Sequence, residues 1–259
     1  MFSASAIIVA LAVSAYLFIF IMGSPVNFEG GNPDGHPLPG NYLGIIYKGG
    51  FVVPVLISCV IIVLIFAVER IITLARAKGR KGLNTFVYKL QDLLSEDKIE
   101  EATEACDTQK GSLASVVRAG LIRYRDLQKD KTLSNDQKIE SIEKSLEEAT
   151  ALEVPMLSKN MVIFSALSSL AVLIGLFGTV LGMIRAFAAL AQAGAPDALA
   201  LSTGISEALI NTATGILGSA LAILSYNYFS TKIDSYAYKI DEASFSLTET
   251  FAESLKSIS

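Results

Sequence analysis

Four apolar runs, each long enough or nearly long enough to cross a membrane as a helix, restrict this chain to few folds. They cover residues 5–22, 51–75, 161–190 and 203–229. About 30 Å of hydrocarbon takes roughly 20 apolar residues in a helix. Hydrophobic residues make up 52% of the chain, a share that soluble domains also reach. The distinguishing features are the clustering of those residues and a charged fraction of 18%, against about 25% in ordinary soluble domains. The expected fold is an all-α membrane protein, with long antiparallel transmembrane helices extending into a cytoplasmic helical domain.

Charge places the ends of these helices. Residues 23–50 are rich in Gly, Pro and Asn, which signal turns, and Lys48 is their only basic residue. At the end of the second run and just beyond it come Arg70, Arg76, Lys78, Arg80 and Lys81. Lys/Arg excess beside a span marks the cytoplasmic side. The second span therefore runs inward, the third outward and the fourth inward, with Lys232 and Lys239 following it in the cytoplasm. The resulting division is an N-terminal hydrophobic helix (1–22), an outer, periplasmic loop (23–50) and a span (51–77). A cytoplasmic helical region (78–159), a span (160–190), an outer loop with Pro196 and Asp197 (191–202), a span (203–231) and a cytoplasmic tail (232–259) follow. The first run lacks the basic lead and small-residue cleavage site of a secretory signal, so it reads as a retained helix, spanning the membrane or lying along it.

Within 78–159, IEEATEACD, GSLASVVRAGLIRYRDL and IESIEKSLEEATALEV have helical composition, with apolar residues at threes and fours. Leu113, Val116, Val117, Gly120, Leu121 and Tyr124 fall on one face of the second. Ile139, Ile142, Leu146, Ala149, Leu152 and Val154 form most of a stripe on the third. These faces predict helices packing on one another. The segment 236–255 is also helix-like and is expected to continue the fourth span.

The last two spans carry polar groups that hydrocarbon penalises, and such groups face a bundle interior or a water-filled path. GLFGTVLGMIRAF holds Thr179 in a stripe of Gly175, Gly178, Gly182 and Ala186. A small-residue stripe lets helix backbones approach closely. GISEALINTATGILGSALAILSYN holds Glu207, Asn211, Thr212 and Thr214, with Gly215 beside Thr212. At 100° per residue, Glu207, Asn211, Thr214, Gly218 and Ser225 share a face. Ala208, Thr212, Gly215 and Ser219 form a second set. Hydroxyls both donate and accept hydrogen bonds, so they can solvate a cation or line a short water chain. A threonine does not exchange protons near neutral pH, so a titrating relay needs Glu207 or an acid from another subunit. Arg185 either pairs with Glu207 or snorkels to the headgroups.

At these residues the chain resembles the ExbB/TolQ/MotA family of ion-channel motor subunits, closest to its ExbB and TolQ branch. GLFGTVLGMIRAF is similar to a motif on that branch's penultimate span. Glu207-Ala-Leu with Asn211-Thr212-Ala-Thr-Gly is similar to its EAL-x-x-TAxG motif. Tyr226-Asn227, Glu69-Arg70, CDTQKGSLASVVRAGL and LEEATALEVPMLSKNM also match, so the resemblance covers about residues 50–235. It implies a ring-forming homo-oligomer, a pentamer in this branch, around an ExbD- or TolR-like single-span partner that brings a membrane aspartate. It further implies that Thr179 and Thr212 line the ion path, with Glu207 in the pore-facing region. The chain departs from the family pattern at Val172 and Leu221, where proline is frequent, and at Thr214, where an apolar residue is. The prolines' loss is expected to straighten those helices, and the extra hydroxyl to favour Na⁺ over H⁺. The added N-terminal helix is also unlike the three-span branch.

The expected function is thus an ion-conducting motor subunit of the bacterial inner membrane. It converts proton or sodium motive force into work on an envelope process such as TonB-dependent uptake, with a TonB-like protein a further partner. A non-conducting scaffold that anchors a partner, and a gliding, secretion or flagellar-type stator subunit, are the alternatives. Membrane lipid surrounds the chain, and a net charge of -4 gives no sign of a nucleic-acid partner. No Ser/His/Asp set, metal-ligand spacing or phosphate loop points to an enzyme, a metal or a cofactor. Cys59 and Cys106 sit at different depths and are not expected to pair. His36, the lone histidine, reads as a solvated loop residue.

Overall fold

The computed structural model describes residues 2–80, 82–128, 132–191 and 198–257. Its elements are helical: α1 (Phe2–Tyr16), α2 (Tyr42–Tyr47), α3 (Val52–Ala77), α4 (Leu83–Ser95), α5 (Ile99–Gln109), α6 (Ser112–Gln128), α7 (Asn135–Ser158), α8 (Met161–Leu190) and α9 (Ala198–Ser257). No strand is present among the described residues; one isolated bridge joins Phe28 and Pro37. Four stretches are long and apolar enough to cross a membrane: Ser3–Met22, Val52–Ala77, Asn135–Leu190 and Ala200–Ser254. Lys81 and most of the expected outer link, residues 192–197 with Pro196 and Asp197, lie outside the described residues.

Contacts divide the chain into two compact units, Met1–Val68 with Asn160–Asn227, and Glu69–Lys159 with Tyr228–Ser259. In the first, α1 widens into a π-helical turn at Leu17–Met22. It buries Ala6, Ala10 and Ser14 at a four-residue spacing and leaves Ile8, Val9 and Phe20 exposed. Asn27 then organises residues 23–50. Its Nδ2 donates to the carbonyls of Ile21 (2.7 Å) and Met22 (2.9 Å), which the helix end leaves over, and its Oδ1 accepts from Asn41 Nδ2 at 3.0 Å. Asn41 in turn caps α2 by accepting from the Gly44 amide. Lys48 donates to the carbonyls of Pro33 and Asp34 and lies over the Phe28 ring. Partial burial in this loop lowers the Lys48 ammonium pKa, with Asp34 opposing the shift. His36 is exposed.

The apolar side chains of α3 (Val53, Leu56, Val63, Phe66) and α8 (Phe164, Ala171) are fully buried or nearly so. Gly218 of α9 stands where α3 and α8 meet it: a Cβ there would touch Val60 at 3.4 Å and Ala171 at 3.5 Å. Ser219 Oγ donates to the Ser168 carbonyl at 2.5 Å, a further tie between α9 and α8.

The second unit has its own core, made by α4 to α7 and the C-terminal part of α9. The expected face of α6 (Leu113, Val116, Val117, Gly120, Leu121, Tyr124) is buried. Tyr124 stacks on Phe251 at 4.8 Å. Ser134 and Gln137 form a capping box that starts α7. Ile142 and Leu146 of α7 are buried, with Ile139, Ala149 and Val154 packed on the core. Leu152 departs from the expected stripe. It is 74% exposed, because it lies about 120° around the helix from Leu146, whereas the residues that pack on the core lie within about 80° of it. Arg70 is enclosed completely: Nε and Nη2 each donate to Glu69 at 2.6 Å, and Nη1 donates to the Leu157 carbonyl at 2.8 Å. A buried guanidinium needs such pairing to persist. Asn160, with φ of 67°, breaks the chain between α7 and α8, whereas α9 runs without a break for 60 residues.

Candidate ion-path site

The site is built where α8 and α9 lie backbone to backbone. A Cβ on Gly175 would lie 2.9 Å from the Asn211 carbonyl oxygen and 3.1 Å from Gly215 Cα. On Gly215 it would lie 2.6 Å from the Ala171 carbonyl oxygen, and on Gly182 2.8 Å from that of Gly204. Real Cβ atoms do not fit at these distances, so the stripe is what permits the approach. Gly178 receives a side chain instead: its missing Cβ is replaced by the Asn211 amide.

That approach brings two hydroxyls into contact. Thr179 Oγ1 meets Thr212 Oγ1 in a short hydrogen bond, and donates to the carbonyls of Gly175 and Ala208, each at 3.1 Å. A hydroxyl has one proton. Either hydroxyl can donate between the two, and the lone pairs left over on the pair are acceptors. Both threonines are half-buried. The pair can therefore accept from a protonated acid or a hydrated cation, but neither hydroxyl ionises near neutral pH.

The other candidates go elsewhere. Thr214 Oγ1 donates to the Ile210 carbonyl of its own helix at 2.8 Å, and it lies about 160° around α9 from Thr212, away from the Thr179–Thr212 contact. Asn211 is fully buried, and neither of its amide atoms has a hydrogen-bond partner among the described residues. Glu207 is also buried, and its Oε1 accepts from Arg185 Nη1 at 2.6 Å. Of the two placements open to Arg185, the structure has the ion pair, with the guanidinium 5.6 Å from the Phe51 ring centroid. Gly50 and Phe51 enter the site without any signal in the two motifs; only the Gly49-Gly50 pair ahead of a span hinted at a close turn.

The profile of the MotA/TolQ/ExbB proton channel family matches residues 109–242, which take in α6 to α8 and most of α9. The chain belongs to this MotA/TolQ/ExbB family. It is accordingly a multi-pass membrane protein of a proton-channel, motor-type family, with four membrane-length apolar helical stretches. It is 25% identical over 158 residues to the Tol-Pal system protein TolQ of Pseudomonas aeruginosa, covering 61% of this chain and 68% of that protein. It is 29% identical over 203 residues to the biopolymer transport protein ExbB of Neisseria gonorrhoeae, covering 74% and 89%. With the biopolymer transport protein ExbB of Pseudomonas putida it shares 26% identity over 160 residues; this spans 60% of the chain and less than half, 47%, of that protein.

Proposed function

We propose that this chain is an ion-conducting motor subunit of the bacterial inner membrane, whose path is lined by Thr179 and Thr212. The observation that carries the reading is the contact between their hydroxyls inside two membrane-length, mainly apolar helical stretches. Polar groups at such positions mark ion pathways and relays. Glu207, Asn211 and Thr214 flank the pair on α9. A ring of copies, a pentamer, surrounds an ExbD/TolR-like single-span partner whose membrane aspartate carries the ion and, when protonated, donates a hydrogen bond to the Thr179–Thr212 pair. The outer loop 23–50 faces the periplasm, and α4 to α7 with the end of α9 face the cytoplasm. The work is done on an envelope process such as TonB-dependent uptake. The ion is a proton or sodium: Thr214 donates its proton to its own helix, but its oxygen lone pairs stay available to a cation.

Proton flux in vesicles holding the chain and its single-span partner tests the reading. Thr179→Val and Thr212→Val keep the side-chain volume and remove the hydroxyl. Each is expected to reduce flux about tenfold or more, by the scale on which 1.4 kcal/mol of barrier is a factor of ten. Flux unaffected by both substitutions, with the partner still bound, would leave the chain a membrane scaffold.

A further inference from the structure

Glu207 is the one acidic residue in the sequence of α8 and of α9 as far as Asn227, and on sequence grounds it competes with an outside acid for the relay. Its surroundings argue otherwise. Its side chain is 6% exposed, and Oε1 is held by Arg185 at 2.6 Å. On the other side the backbone of Gly50 lies against the carboxylate. A Cβ at that position would sit 3.1 Å from Glu207 Cδ and 3.6 Å from Arg185 Nη1, and the φ of +75° there independently favours glycine. The next residue, Phe51, supplies the ring beside the guanidinium. The carboxylate is thus enclosed between a cation of α8 and a turn leading into α3. Its helical direction also diverges from that of Thr212 by about 140°.

We infer that Arg185 is the resident counter-ion of Glu207, and that the pair positions α9 against α8 and the Gly50–Phe51 turn rather than carrying the ion. Glu207 is then a positioning residue, and the acid that exchanges the ion comes from another chain. This deepens the proposed ion path and rests on it only for the flux arm of the test. Arg185 is 52% exposed and Glu207 is buried, so removing the arginine strands a buried carboxylate, whereas neutralising both can cost little. The two roles therefore predict opposite behaviour of the double variant.

The test compares Arg185→Met, Glu207→Gln and the double variant in the full chain, by thermal unfolding in detergent and by proton flux in vesicles with the single-span partner. Arg185→Met is expected to lower the unfolding midpoint by about 5 °C or more, and the double variant to return to within about 2 °C of the parent. Flux through the double variant is expected to stay within about threefold of the parent. A double variant that unfolds like the parent but conducts nothing would make Glu207 the carrier and overturn the inference. Single-variant losses that simply add in the double would overturn it too, since they would show the groups uncoupled. Should Arg185→Met not fold, a double variant that does fold is itself the rescue expected of the pair, and a double variant that fails as well would overturn the inference. A parent that conducts no protons at all would refute the proposed function, while the unfolding cycle would still decide the pair.

Discussion

Asn211 combines full burial with an amide that bonds to nothing among the described residues. An unsatisfied buried polar group costs about 1–3 kcal/mol, whereas the amide's packing on Gly178 gives some of that back. Asn211→Ala removes both terms. It is expected to change stability by no more than about 1 kcal/mol, measurable as a small shift of the unfolding midpoint. The neighbouring threonines behave differently because their hydroxyls are engaged. At this scale the sequence was legible only in part. That Glu207, Asn211, Thr212 and Thr214 are polar groups in an apolar helix is plain from the residues. Which of them touch is not, because a threonine hydroxyl can reach back to its own helix, as Thr214 does. Arg185 had two sensible placements. The choice goes with a turn at Gly50 and Phe51, more than a hundred residues away in sequence.

Helix packing was far more readable. The 3.6-residue period alone puts Gly175, Gly178, Gly182 and Ala186 on one face of α8, and all four are buried. The same arithmetic picked the buried face of α6. It failed for Leu152, because a period gives a direction but not how wide a sector the neighbours cover. The α8–α9 contact also makes a sharp prediction. Gly215→Val sets a branched side chain against the Ala171 carbonyl and Gly175, where even a Cβ does not fit. Overpacking of this kind costs about 1–3 kcal/mol or more. The variant is expected to lower the unfolding midpoint and to separate Thr179 from Thr212, so proton flux falls even in protein that remains folded. Gly218→Ala, whose added Cβ would meet its neighbours at 3.4 Å and beyond, is the matched control and should leave both readouts near the parent.

Across the whole molecule the sidedness proposed from Lys/Arg bias is open to direct measurement, and the two cysteines make that measurement clean. Cys59 and Cys106 are both free and buried. Burial, with Asp107 adding to it and Arg118 opposing, pushes the Cys106 thiol up to about 12. Thiol reagents act on the thiolate, so at neutral pH the native chain should be nearly silent towards maleimides. His36 is exposed in the turn-rich loop. His36→Cys is expected to label in intact cells once the outer membrane is permeabilised, with a reagent that does not cross the inner membrane. A cysteine at exposed Tyr88 of α4 should label only after the inner membrane is opened. The reverse pattern would invert the proposed orientation. Buried thiols that contribute to the packing thus also give the protein a quiet chemical background, against which a single introduced sulfur can report from either side of the membrane without first removing the native ones.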